Sequence, residues 1–153
     1  MTLAEALSLR KELEVQITTV RDLLMGCSMV QEGDVPTEEP ETLMKELDKL
    51  LKQLEHYVYC INVTNMSITD EDGNTMTKLL AKRDILKRRI EVLNYTFMNI
   101  TNNVKRSYRT EIKNVVTIDM KAMRTHIRQL SQQYRQLDMK IQKMNYVCEL
   151  VTC

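Results

Sequence analysis

The sequence predicts an all-α fold, an antiparallel bundle of four long helices with coiled-coil-like packing. Two observations support it. The chain of 153 residues has only 3 Gly, 2 Pro and 5% aromatic residues, which is typical of long helices rather than of a sandwich or barrel. Apolar residues also recur at alternating steps of three and four in four stretches, and such steps keep a seam on one side of a helix. The clearest seam consists of Met120, Met123, Ile127, Leu130, Tyr134, Leu137, Ile141, Met144 and Cys148.

Local signals predict the helix limits within a single domain covering residues 1–153. Thr2 and Glu5 match a capping box at the start of the first helix. Pro40 suits the first turn of the second helix, and Asp119 suits the cap of the fourth. The predicted helices cover about residues 3–31, 40–63, 76–104 and 119–147. The connecting segments between these helices are short, and they favour an up-down-up-down order of the four helices.

The second helix has an unusually wide apolar stripe. Beside its seam, Met44, Leu51 and Val58 recur every seven residues. A stripe of this width requires more than one neighbouring helix, so it favours a bundle over an isolated two-stranded coil.

Charge divides strongly between the two halves of the chain. Residues 1–75 have a net charge of −9 and residues 76–153 a net charge of +10. One interpretation is that the acidic half packs on the basic half, within one chain or between chains. The other is that the basic half binds nucleic acid, because phosphate binding requires clustered Lys and Arg. The basic half has no recognisable nucleic-acid motif, so a homo-oligomer is the expected partner and nucleic acid is not.

In the up-down-up-down order, the acidic first loop lies at the same end as the basic third connection. This arrangement predicts an electrostatic clasp that sets partner choice more than stability. The clasp residues are Glu32, Asp34, Glu38, Lys105, Arg106, Arg109 and Lys113.

Two seam positions carry arginine, which is costly at a buried position unless a carboxylate pairs with it. Arg10 and Arg83 both lie about eight residues into their helices and so are predicted to share one layer. Three interpretations are open: a polar layer that sets register, a pocket that binds an anion or catalyses a reaction, and arginines that reach solvent. The predicted members of the layer are Arg10, Glu55, His56, Arg83, Asp84 and Asp138.

Signatures of enzymes in helical bundles are absent from the sequence. Neither His56 nor His126 completes a Glu-x-x-His pair, and no zinc-protease, P-loop or nucleophile-elbow motif occurs. We therefore predict no catalytic residue, no metal, no cofactor and no small-molecule substrate. No apolar run is long enough to span a membrane, and the N-terminus lacks the pattern of an export signal, so a cytoplasmic location is expected.

Several local strings in combination carry a family resemblance over nearly the whole chain. They include residues 3–7 (LAEAL), 30–33 (VQEG), 61–65 (INVTN) and 72–77 (DGNTMT). In order and spacing they resemble a family of small bacterial proteins of unknown function, some labelled septicolysin, a pore-forming cytolysin. The resemblance implies an all-helical, self-associating cytoplasmic protein and assigns no catalytic residue.

The predicted function is that of a non-enzymatic, self-associating helical bundle with a structural or interaction role. A septicolysin-like pore-forming cytolysin is the alternative, and it alone would make a membrane the partner. A second alternative is anion or nucleic-acid binding through the basic C-terminal half.

Overall fold

The computed structural model describes residues 1–29, 31–107 and 115–152, without the side chains of residues 105–107. Within these ranges the fold is all-α, as predicted, and its elements are α1 (Leu3–Cys27), α2 (Pro40–Ser67), α3 (Met76–Ser107) and α4 (Met120–Val147). Thr2 and Glu149 form an isolated antiparallel bridge. The chain divides into two compact units. The prediction of a single domain stays a prediction.

Side-chain caps determine where the helices begin. Thr2 and Glu5 form the predicted capping box at α1, and Pro40 occupies the first turn of α2. Asp119 Oδ1 accepts hydrogen bonds from the backbone N–H groups of Lys121 and Ala122, at 2.8 and 2.9 Å. All three predicted starts are therefore confirmed.

The helix ends differ from the prediction by up to about one turn. α1 ends at Cys27 instead of about residue 31, and α3 continues to Ser107. α2 continues to Ser67, beyond the predicted end near residue 63. In this additional turn Thr64 is fully buried, and its hydroxyl donates to the carbonyl of Cys60 at 2.7 Å.

The first unit contains α1, α2 and the C-terminal segment Met144–Cys153. α1 and α2 pack through their predicted seams, and the buried cluster between them consists of Leu13, Val20, Cys27, Leu43 and Leu50. The C-terminal segment closes the open end of this helical hairpin. The backbone N–H of Leu3 donates to the carbonyl of Cys148 at 2.9 Å, and the N–H of Val151 donates to the Thr64 hydroxyl at 3.0 Å.

The second unit, Asp70–Lys143, contains α3 and most of α4 in antiparallel order. Arg83 near the start of α3 contacts Asp138 near the end of α4, and the Arg124 guanidinium lies 5.2 Å from the centre of the Phe97 ring. The α4 seam includes the buried residues Met123, Leu130 and Ile141. The predicted seam of α3 is only half-buried throughout, at Leu86, Ile90, Leu93, Phe97, Ile100 and Val104.

Candidate functional site

The best-defined polar cluster in the second unit is built on the turn between α2 and α3. The carboxylate of Asp70 accepts hydrogen bonds from the backbone N–H groups of Asp72 and Asn74, at 3.0 and 2.7 Å. The side-chain amide of Asn74 adds further bonds of 3.3 Å. Gly73 adopts φ 75°, a left-handed conformation that glycine accepts without strain. Asp70 therefore organises the turn formed by Asp72, Gly73 and Asn74.

Lys140 of α4 completes this cluster. Its ammonium lies 2.8 Å from a carboxylate oxygen of Asp70, whose side chain is only 1% exposed, and 3.2 Å from Asp72. A carboxylate that has lost its water must be paired, and here one cation and several N–H donors satisfy it. The pair ties α4 to the turn that precedes α3.

The pKa values of both partners move away from neutrality. The hydrogen bond from Lys140 holds the pKa of the Asp70 carboxyl well below its usual range, with help from Asn74 and against the effect of burial. The hydrogen bonds to Asp70 and Asp72 raise the pKa of Lys140. Both groups are therefore firmly charged at neutral pH.

Two acids of the predicted layer lie beside Arg83. Its guanidinium contacts Asp84 at 2.9 Å and Asp138 of α4 at 3.7 Å. Nearby along the same helices, an open cavity of about 300 Å³ is lined by the Asp70 cluster together with Lys82, Gln133 and Gln136. Charged and amide side chains of the turn, α3 and α4 therefore meet in this part of the unit.

The other members of the predicted layer lie in the first unit. Arg10 pairs with Glu14 of its own helix at 3.5 Å. Glu55 is exposed, whereas His56 packs edge-on against Tyr57 and lies 3.9 Å from the Cys60 sulfur. No ion pair within the described residues joins Arg10 to Glu55. A common layer of Arg10 and Arg83 stays a prediction.

The predicted clasp is described on its acidic side only. Glu32, Asp34 and Glu38 are exposed, and within the described residues none of them forms an ion pair. Arg109 and Lys113, and the side chains of Lys105 and Arg106, lie outside the described residues. The clasp therefore stays a prediction.

A surface of a different kind runs along α2. Met44, Leu51 and Val58 are 48%, 44% and 39% exposed, so the apolar stripe that the sequence shows beside the α2 seam is not covered in the described structure. We call these three residues the α2 stripe. α1 covers the seam of α2 and leaves this flank in water.

Sequence reasoning missed the Asp70–Lys140 pair. The sequence analysis singled out neither residue, and nothing in the pattern of α4 distinguishes Lys140 from the other exposed-face cations. Whether a cation of one helix meets a carboxylate of a turn depends on how the helices pack, and the apolar periodicity of a single helix does not determine this.

Neither a metal nor a membrane span is apparent in the part of the chain that the structure describes. No group of three or more His, Cys, Asp or Glu side chains is arranged to hold a metal ion there. None of the helices searched combines the length and apolarity needed to cross a bilayer.

The fold and the polar cluster together define an all-α protein of long paired helices, in which a shielded ion pair connects α4 to the turn between α2 and α3. Within that class the chain belongs to a family of unknown function (DUF6847), whose model matches residues 10–150. It is also similar to the crystal structure of a functionally unknown conserved protein from Corynebacterium diphtheriae. The two share 34% identity over 99% of each chain, with a TM-score of 0.93. No curated protein matches the chain.

These comparisons confirm the resemblance to proteins of unknown function. Neither the family description nor the name of the similar structure mentions a septicolysin or a pore.

Proposed function

We propose that the protein is a non-enzymatic interaction module of the cytoplasm that associates with copies of itself through α2. The observation that carries this proposal is the uncovered α2 stripe. At 1.5 Å per residue, its members repeat about every 10 Å along one side of the helix. Apolar side chains aligned in this way on a helix are an interaction surface, whereas single exposed apolar residues are ordinary.

The chemistry of the polar cluster supports an interaction role over catalysis. A general acid or base works best when its pKa lies near the working pH. Asp70 and Lys140 are shifted in the opposite directions, because each stabilises the charged form of the other. The cluster therefore stabilises the fold rather than holding a proton ready for transfer.

The α2 stripe is tested by replacing Met44, Leu51 and Val58 together with glutamine. Glutamine is a good helix former, so α2 should persist while the apolar surface is lost. We expect the dissociation constant of the self-associated state to rise by more than about tenfold, since burial of even part of three apolar side chains contributes more than that. Sedimentation velocity over a range of concentrations measures it.

A control replaces two exposed apolar residues on two other helices, Val15 and Met139. This control should associate as the wild type does. Equal association of the stripe variant, the control and the wild type would overturn the role assigned to α2.

Assays of the folded wild-type protein distinguish the proposed function from the two alternatives. A septicolysin-like cytolysin would release dye from liposomes, and release by the folded protein would overturn the proposal. Anion or nucleic-acid binding by the basic half would appear as salt-dependent binding of oligonucleotides or inorganic phosphate. We expect neither.

A further inference from the structure

α3 carries a second uncovered apolar surface. Its members are Ile85, Val92 and Tyr95, which are 69%, 54% and 73% exposed. They follow one another at steps of seven and three, so they lie along one side of α3, turned away from its seam. We call these three residues the α3 stripe. Like the α2 stripe, it is not covered in the described structure.

The α2 stripe has an acidic border. Asp48 and Glu55 lie four residues after Met44 and Leu51, and both side chains are exposed. Lys52 of the same helix stands at ion-pair spacing from both carboxylates, but within the described residues neither carboxylate forms an ion pair. Pairs of this kind on a helix surface are weak, so the two carboxylates remain available to cations of a partner.

The α3 stripe has a basic border at the equivalent positions. Arg89 lies four residues after Ile85, and Lys82 lies seven residues before Arg89. Both side chains are exposed, and neither forms an ion pair in the part of the chain that the structure describes. Asp48 and Glu55 are also seven residues apart, so both borders repeat about every 10 Å along their helices.

The two stripes match in an antiparallel contact between α2 of one copy and α3 of a second copy. Turning a helix end over end keeps the border that follows a stripe on the same lateral side, so the acidic border then faces the basic border. With Leu51 opposite Ile85, Met44 falls opposite Val92, because the residues of each helix are seven apart. One register therefore aligns the apolar residues of both stripes.

The same register also pairs the charges. Asp48 falls within one residue of Arg89 along the helix axis, and Glu55 falls within one residue of Lys82, a difference of about 1.5 Å. Two α2 helices paired in the same antiparallel way would instead place the acidic borders of both copies against each other. Because opposed like charges disfavour a contact, the α3 stripe fits the α2 stripe better than a second α2 stripe does.

We propose that the α2 stripe of one copy packs antiparallel on the α3 stripe of a second copy, with the acidic border of the first against the basic border of the second. This inference rests on the proposed self-association and specifies its partner surface. Each chain carries both stripes, so two copies satisfy both contacts in a two-fold dimer. The net charges of −9 and +10 in the two halves of the chain favour the same pairing. Apolar residues form the centre of the contact and the charged borders form its rim.

A pair of complementary charge variants tests the contact. The acidic-border variant carries Asp48→Lys and Glu55→Lys, and the basic-border variant carries Lys82→Glu and Arg89→Glu. Each variant alone places like charges at both contacts of a dimer, so we expect its dissociation constant to exceed that of the wild type by more than about tenfold at low salt. Mixed in equal amounts, the two variants oppose unlike charges at both contacts and should form a heterodimer of near wild-type affinity. Sedimentation velocity measures both results.

The matched control carries Lys121→Glu and Arg128→Glu, which reverse a lysine and an arginine seven residues apart on α4 and change the net charge as the basic-border variant does. It should associate as the wild type does. Reversal of Lys105, Arg106 and Arg109 tests the predicted clasp in the same assay, and a loss found only there would overturn the contact between α2 and α3. Melting curves establish that each variant is folded.

A disulfide trap tests the register independently of charge. Chains with Leu51→Cys are mixed with chains with Ile85→Cys under mild oxidation, and a disulfide should join the two new cysteines, since it requires Cα atoms within about 7 Å of each other. Chains with Val15→Cys, another exposed position, replace the second partner in the control and should not form that bond with Leu51→Cys chains. The wild type reports cross-linking through its native cysteines, and peptide mass mapping identifies each bond.

The outcomes separate the two proposals. Unchanged association of the single charge variants, failure of their mixture to recover, or a trap no more efficient than its control overturns the contact between α2 and α3 while self-association stands. A disulfide formed within one monomeric chain that carries both Leu51→Cys and Ile85→Cys would show that the stripes pair within the chain, and it would overturn the contact as well. A wild-type protein that stays monomeric at every concentration overturns the proposed function itself.

Discussion

At the scale of single residues, Asp70 and Lys140 form an ion pair that stabilises the fold, although aspartate and lysine are also residue types that enzymes use for catalysis. Asp70 receives donors from its own turn and one cation from α4, so nearly all of its lone pairs are satisfied. Breaking such a pair by removing one partner leaves the other group shielded from water and uncompensated. The contribution of the pair should therefore be measurable as a change in the stability of the folded state and in the pH dependence of that stability.

We expect Asp70→Asn to lower the melting temperature by several degrees at pH 7. Because the pKa of Asp70 is depressed in the folded state, its contribution is present above the unfolded value of 3.8 and is lost as pH falls toward the folded pKa. The difference between wild type and variant should therefore shrink below about pH 4. Thermal melts from pH 2 to 8 measure it.

Lys140 gives the opposite sign at alkaline pH. The pKa of Lys140 is raised above 10.5, so its contribution to stability is present below that value and is lost as pH rises through the folded pKa.

Asp72→Asn is the control for Asp70→Asn, because Asp72 is 74% exposed and its replacement should change the melting temperature little. Equal effects of Asp70→Asn and Asp72→Asn would contradict the structural role of Asp70.

Arg83 provides a second test at this scale. It bridges Asp84 and Asp138, so Arg83→Met should destabilise the protein by about 1 kcal/mol or less, because the pairs are partly exposed. Arg10, paired only within α1 in the described residues, should tolerate Arg10→Met better. Chemical denaturation compares the two. If Arg83→Met stabilises the protein without loss of association, the polar layer has no structural role.

At the scale of elements, the helix starts are set by short-range hydrogen bonds that a substitution can remove. Asp119 satisfies two N–H groups at the start of α4, so Asp119→Ala should cost about 1 kcal/mol of unfolding free energy. Asp119→Asn keeps an acceptor oxygen at the same place and should cost much less. Urea titrations of the two variants measure the difference, and equal losses would show that the cap is not the source of stability.

The seams and the helix starts were predictable from the sequence, because both depend on residues a few positions apart. The buried residues between α1 and α2, such as Leu13 and Leu50, lie on the predicted seams, and other seam residues, such as Leu47, are partly buried against them. The end of α2 was not predictable in this way. Near that end the Thr64 hydroxyl accepts a hydrogen bond from the N–H of Val151, and a contact across that much sequence leaves no periodic trace.

The candidate site was predictable only in part, for the same reason. Arg83 was identified because an arginine interrupts an apolar seam, and its partner Asp138 followed from counting turns along antiparallel helices. Lys140 interrupts no seam, so only the packed structure reveals that it meets Asp70. The exposure of the α2 stripe likewise became known only once its neighbours were placed.

At the scale of the whole molecule, charge and apolar surface support the same account. The N-terminal half has a net charge of −9 and the C-terminal half one of +10, and α2 in the acidic half carries an uncovered apolar stripe. Apolar contacts supply affinity, and charged rims supply selectivity and salt dependence. Association of the two oppositely charged halves and of the apolar stripe should therefore be stronger at low salt without being purely electrostatic.

The most direct test of this central claim is the solution mass of the unmodified protein by light scattering behind size exclusion. It should be measured at about 0.05 M and about 1 M salt, because the screening length falls several-fold over that range. We expect a dimer at low salt that weakens at high salt. A monomer at both salts, over the full accessible range of protein concentration, would contradict it.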